Sequence, residues 1–149
     1  MKGLSLTQPW ATLVAIEAKR LETRSWRHHY RGKVAIHASK GFPKACQTLC
    51  ETEPFKSVLA EAGIVHHSQL PTGCIIAVGT LGDTHSTSQP PLPMLQSRMA
   101  PHEFAFGDYS KGRFAWEIAG VIKLAKPVPC NGALGLWIVP PEIEKQLFP

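Results

Sequence analysis

Apolar positions recur along this chain with two different periods, and the changes between them mark out its elements. Ala11, Leu13, Val14 and Ile16 follow Thr7-Gln8-Pro9-Trp10 with helical spacing. Thr7 suits the cap of such a helix and Pro9 its first turn, where a missing N–H costs nothing, so a helix of roughly ten residues is predicted. From Leu21 to Trp26 the period drops to two, which places Glu22, Arg24 and Trp26 on one face of a strand with Lys19 at its entrance. The turn His28-His29-Tyr30-Arg31-Gly32 then leads into a second alternating run, Lys33 to Ala38. The two runs are expected to pair antiparallel, carrying Arg31 and His37 towards Lys19. Beside Val34 and Ile36, His37 equally fits a hydrogen-bonded core histidine.

Further on, Ala45, Leu49, Phe55, Val58, Leu59 and Ala62 have helical spacing, and Pro54 splits them into two pieces. Gly73 to Gly82 is apolar almost throughout, as a buried strand should be, and Asp83 closes it. His85 to His102 is proline-rich without a period and reads as a long loop, a lid or a mobile segment. A strand is predicted from Arg113 towards Ala125 and a last one at the end of the glycine-punctuated run Gly132–Val139, with Trp137 in the core. Glu142 to Leu147 completes the chain as a turn of helix. The strands do not alternate with helices as βαβ units. The predicted class is therefore α+β, a mostly antiparallel β-barrel with flanking helices, in one domain over residues 1–149.

Charge adds a functional direction. The chain carries a net charge of +5, and residues 17–44 hold Lys19, Arg20, Arg24, Arg27, Arg31, Lys33, Lys40 and Lys44, half of the 16 basic residues, with only Glu17 and Glu22 of the 11 acids. Such clustering favours a polyanionic or phosphate-bearing partner. No apolar run approaches a membrane span and the amino terminus lacks a signal-peptide pattern, so an intracellular, cytoplasmic protein without membrane contact is expected. Cys46, Cys50, Cys74 and Cys130 form no Cys-x-x-Cys pair and read as free thiols. The pairs His28-His29 and His66-His67 point apart, and neither a metal nor another cofactor is expected.

Lys19, Glu22 and Arg24 are the candidate chemistry. An ammonium, a carboxylate and a guanidinium at one helix-to-strand corner can bind an anion, polarise a carbonyl or activate a water, or can form a solvated ion-pair strand. Their Lys-x-x-Glu-x-Arg spacing arrives in order with Leu4-Ser5-Leu6 and Gln8-Pro9-Trp10-Ala11 before it, and with Arg24-Ser25-Trp26, Arg31-Gly32 and Gly73-Cys74 after it. In these motifs the chain resembles the ASCH domain family, named for homology to the C-terminal part of activating signal cointegrator 1. The family signature is Gly-x-Lys-x-x-Glu-x-Arg, and Glu17 stands here in place of its glycine. Glycine accepts a left-handed helix end that glutamate resists, so the helix is expected to run on to Ala18.

The resemblance implies a barrel like that of the PUA domain, an RNA-binding module, with a cleft bordered by the signature residues. The leading expectation is a domain that binds RNA or single-stranded DNA through Gln8, Trp10, Lys19, Glu22, Arg24, Trp26, Arg31, Ser39 and Lys40. Basic groups would hold phosphates, and Trp10, Trp26 or Tyr30 would stack on an unpaired base. The superfamily also implies a small hydrolase, a ribonuclease or an amidohydrolase on acylated nucleosides. Lys19 would then serve as nucleophile or oxyanion partner and Glu22 as base, with Glu103, Asp108 or Glu117 as a distal acid. The acylcytidine hydrolases carry threonine where this chain has Glu22. A protein-interaction module of coactivator type is the third alternative.

Overall fold

The computed structural model describes residues 1–88 and 93–148, without the side chains of residues 93 and 94. In chain order the elements are β1 (Lys2–Leu6), α1 (Trp10–Ala15), β2 (Leu21–Arg24), β3 (Gly32–Ala38), α2 (Lys44–Leu49), α3 (Phe55–Glu61), β4 (Cys74–Ser86), α4 (Pro93–Gln96), β5 (Phe114–Pro129), β6 (Leu136–Ile138) and α5 (Pro141–Leu147). Six strands form one curled sheet in the order β2-β5-β4-β3-β1-β6. Among the described residues only the β1–β3 pair is parallel, and the chain between them, through α1 and β2, provides the long crossover that a parallel pair needs. The class is the expected α+β, mostly antiparallel one. Register shifts along β4 and β5 bend both long strands, and the sheet remains an open half-barrel with β2 and β6 as its ends.

The short helix α1 plugs the curl. Its Ala11 and Val14 pack with Leu4, Leu6, Val34, Ile36 and Trp116 from the sheet, whereas Leu13 faces Phe55, Leu59 and Phe106 on the other side. A further cluster, Ala35, Ile75, Val78, Trp137, Val139 and Leu147, covers the opposite face of the sheet under α5. The apolar helix run is thus buried all round, which compensates for the poor intrinsic stability of a helix this short.

Several local expectations are corrected. The Lys2–Leu6 strand was not anticipated, and it is the link that joins β3 to β6. β2 pairs with β5, with Glu22 opposite Trp116 and Arg24 opposite Phe114, while β3 takes β1 and β4 as partners. Thr7 makes no side-chain cap. That role goes to Gln8, whose Oε1 accepts the Thr12 N–H at 3.0 Å while its Nε2 donates to the Pro71 carbonyl at 2.8 Å. Of the anticipated loop His85–His102, the start continues β4 and residues 93–96 form α4; residues 89–92 lie outside the described residues.

The helix also stops earlier than expected. α1 ends at Ala15, and Glu17 adopts the left-handed conformation at φ 60 that the signature glycine would occupy. Lys19 N–H then bonds back to the Leu13 carbonyl at 3.0 Å, so the tertiary fold imposes the turn on a residue that disfavours it. Glu17→Gly is expected to stabilise the domain by about 0.5–1 kcal/mol after its larger unfolded-state entropy is deducted. Calorimetry should show a melting temperature higher by about 1–4 °C, and a lower one would contradict this account of the turn.

Candidate functional site

Where α1 meets the β2 end of the half-barrel, a cleft of about 670 Å³ opens between Trp10, Phe55 and Phe106 on one side and Glu22, Arg24, Asp108 and Arg113 on the other. The period of two along β2 turns Glu22 and Arg24 to the same side. Glu22 Oε2 accepts from Arg24 Nε at 3.3 Å and Nη2 at 3.2 Å, and Arg24 Nη2 also donates to the Ser5 carbonyl at 3.1 Å. Arg24 lies 5.8 Å from the Trp116 ring centroid, so the guanidinium is fixed by a carboxylate, a carbonyl and an aromatic face together.

A second ion pair forms the far rim. Arg113 Nε donates to the Asp108 carbonyl at 3.1 Å and stands 3.4 Å from its carboxylate, while Nη2 reaches the Thr23 carbonyl at 3.0 Å. The Asp108 N–H in turn donates to Thr23 Oγ1 at 3.0 Å, which ties this segment to β2. The Ser110 hydroxyl and backbone N–H donate to the Asp108 carboxylate, and with Arg113 nearby they hold its pKa below the usual value. The lining therefore carries two anions and two cations in pairs between aromatic walls. That pattern offers acceptors and donors to the edge of a flat polar ring and no excess charge of either sign.

Lys19 differs from its expected place. Its side chain is only 1% exposed and lies behind the cleft, with Nζ donating to the Leu21 carbonyl at 2.5 Å and 3.8 Å from Glu22 Oε1. Burial lowers its pKa, and the carboxylates of Glu22 and Glu103 partly oppose that shift. Lys19 therefore supports Glu22 from beneath. Gln8 is likewise fully buried and spent on backbone groups. Trp26 stacks edge-on with Trp116 at 4.6 Å beyond the lining, and Arg31 pairs with Asp83 at 2.9 Å on the outer surface. Trp10, Glu22, Arg24 and Ser39 do line the cleft.

Of the three candidate distal acids, the structure brings Asp108 to the cleft. Glu103 is buried and accepts the backbone N–H groups of Arg20, Leu21 and Ala100. Glu117 pairs with His85 at 2.8 Å and with Arg98, beside a separate depression that also contains Arg20. Three members of the basic cluster lie outside the cleft lining, each with a partner of its own: Arg27 lies over Phe114, Lys33 over Phe148 and Arg31 beside Asp83.

A second groove of about 940 Å³ adjoins the cleft and shares Ser5, Ser39, Ala133 and Leu134 with it. Lys40 lies in this groove, as does His37, whose Nδ1 is 3.0 Å from Ser5 Oγ and whose Nε2 is 2.7 Å from the Cys130 carbonyl. Phe55, Phe106, Arg113 and Leu134 were not singled out by the sequence reading. Nothing local distinguishes them, because the cleft exists only after segments more than 80 residues apart are joined, as in the Thr23–Asp108 contact. All four cysteines are free thiols, and among the described residues no group of three or more metal-binding side chains converges. Among those residues, too, no helix is long and apolar enough to cross a membrane.

Comparison with known proteins points in one direction. The family model described as ASCH domain matches residues 4–128. Activating signal cointegrator 1 of Homo sapiens and that of Mus musculus are each 33% identical over 86 residues, a match covering 58% of this chain but 15% of theirs. Among solved structures, a single-site mutant of the ZmASCH protein from Zymomonas mobilis superposes with a TM-score of 0.54 and 15% identity, covering 98% of this chain and 92% of that one. That likeness concerns the fold alone.

Proposed function

The chain belongs to the ASCH domain family, whose PUA-like fold generally suggests RNA binding, and from this premise we propose that it binds single-stranded RNA or DNA by taking an unpaired base into the cleft. The observation that carries this reading is the pairing of Glu22 with Arg24 and of Asp108 with Arg113 around a pocket walled by Trp10, Phe55 and Phe106. An extruded base needs an aromatic surface for its face and fixed donors and acceptors for its edge. The volume falls within the range of small-molecule pockets. A duplex base must first be unpaired and unstacked, at a cost of a few kcal/mol, before it can enter.

The hydrolytic alternative requires Lys19 to reach a substrate, and its ammonium is held beneath Glu22 against the Leu21 carbonyl. Binding is therefore the better-supported reading. Labelled single-stranded and duplex oligonucleotides titrated across salt test it. Single strands should bind more tightly, with affinity falling by about 0.7 log units per log unit of salt for each phosphate held. No binding at low salt would sink the proposal.

A further inference from the structure

Given the single-strand reading on which this section rests, the two adjoining depressions divide the chemistry of a nucleotide chain between them. The cleft balances its ion pairs, whereas the lining of the second groove holds one formal charge among the described residues, Lys40. His37 adds none at neutral pH. The Cys130 carbonyl can only accept, so His37 Nε2 carries the proton, and Nδ1 is left to accept from the Ser5 hydroxyl. Burial lowers the pKa of this imidazole, and the Trp137 indole N–H, 3.2 Å from Ser5 Oγ, occupies the serine further. By contrast, the side chains of Ser39, Lys40 and Asn131 make no hydrogen bond or ion pair among the described residues and are free to meet a ligand.

Leu134 stands where the two depressions meet. It is 98% exposed and contributes to both linings. Its loop runs close to β1 and needs two glycines: a Cβ on Gly132 would come within 2.4 Å of Ser5 Oγ, and Gly135 takes a φ of 66. A large apolar side chain is thus presented to solvent at the boundary between a base-sized cleft and a groove with one cation.

We propose that the site spans two consecutive nucleotides: one base enters the cleft, the linking phosphate lies against Ser39 and Lys40, and Leu134 stands as a wedge between the two bases. Apolar side chains are used in this way to separate stacked bases, and a lone cation beside hydroxyl and amide groups suits a single phosphate. The ligand class is accordingly a single strand of two or more nucleotides, and a lone nucleoside monophosphate should bind less well than a dinucleotide.

Titrations of the full chain with a single-stranded RNA hexamer, a 5′-phosphorylated dinucleotide and a nucleoside monophosphate test this, using Lys40→Gln and Leu134→Ala. Both positions are exposed, and unchanged melting temperatures check that the fold is retained. Lys40→Gln should weaken hexamer binding about five-fold at low salt and reduce the salt slope by about 0.7. Leu134→Ala should leave the slope unchanged and remove the preference for dinucleotide over monophosphate. If either variant binds all three ligands as the wild type does, while Trp10→Ala loses hexamer binding, the two-nucleotide site is overturned and the single-strand reading stands. Failure of the wild type to bind the hexamer overturns both.

Discussion

Replacing Glu103 by alanine should destabilise the domain by about 3–5 kcal/mol, a large share of the total stability of a typical domain. Glu103 is 1% exposed, and its carboxylate accepts from Arg20 N–H at 3.1 and 3.0 Å, from Leu21 N–H at 3.0 Å and from Ala100 N–H at 2.9 Å. Alanine leaves those donors without their acceptor, and each buried orphan costs about 1–3 kcal/mol before water or backbone movement relieves part of it. The same change removes one of the two carboxylates that attract buried Lys19. Glu103→Gln should recover only part of the loss, because its amide NH2 group must face backbone N–H donors. Thermal or chemical unfolding measures both variants; stability within about 1 kcal/mol of wild type for Glu103→Ala would refute the role assigned to this carboxylate.

Removal of the Trp10 ring is expected to have the largest effect on binding. Trp10 is half-buried, meets Phe55 edge-on at 6.4 Å, and turns part of its surface to the cleft. Base stacking on an aromatic side chain contributes about 1–3 kcal/mol, so Trp10→Ala should weaken single-strand affinity about five- to 150-fold. Trp10→Phe keeps a stacking face and should retain most of the affinity. Because Trp10 also packs beside Leu13 and Phe55, melting temperatures must accompany the titrations. A folded Trp10→Ala protein that binds like wild type would remove stacking in the cleft from the account.

How much of this was legible in the sequence depended on the range of the interactions involved. Local periodicity located β3 within one residue, placed the apolar core of β4 and separated α2 from α3 at Pro54. The signature placed Glu22 and Arg24 together, because two residues of the same strand share a face. Lys19 could not be located that way. A lysine beside glutamate and arginine reads as a surface charge, and its burial follows from the long-range closure in which Glu103 grips the Arg20 N–H 83 residues away. The partner of Arg31 was hidden for a related reason: it is Asp83, 52 residues along the chain. At Glu17 a local preference was outweighed by tertiary structure, since the Lys19-to-Leu13 backbone bond fixes the turn whichever residue occupies it.

Amide chemical-shift mapping of the protein titrated with a single-stranded RNA hexamer tests the central claim most directly. Binding in the cleft predicts saturable shifts concentrated at Thr7, Trp10, Thr23, Gly107 and Leu134, which line it from the turn after β1, α1, β2, the segment before Asp108 and the loop before β6. Shifts gathered instead on the exposed stretch of β5 around Ile122, or none at low salt, would contradict it.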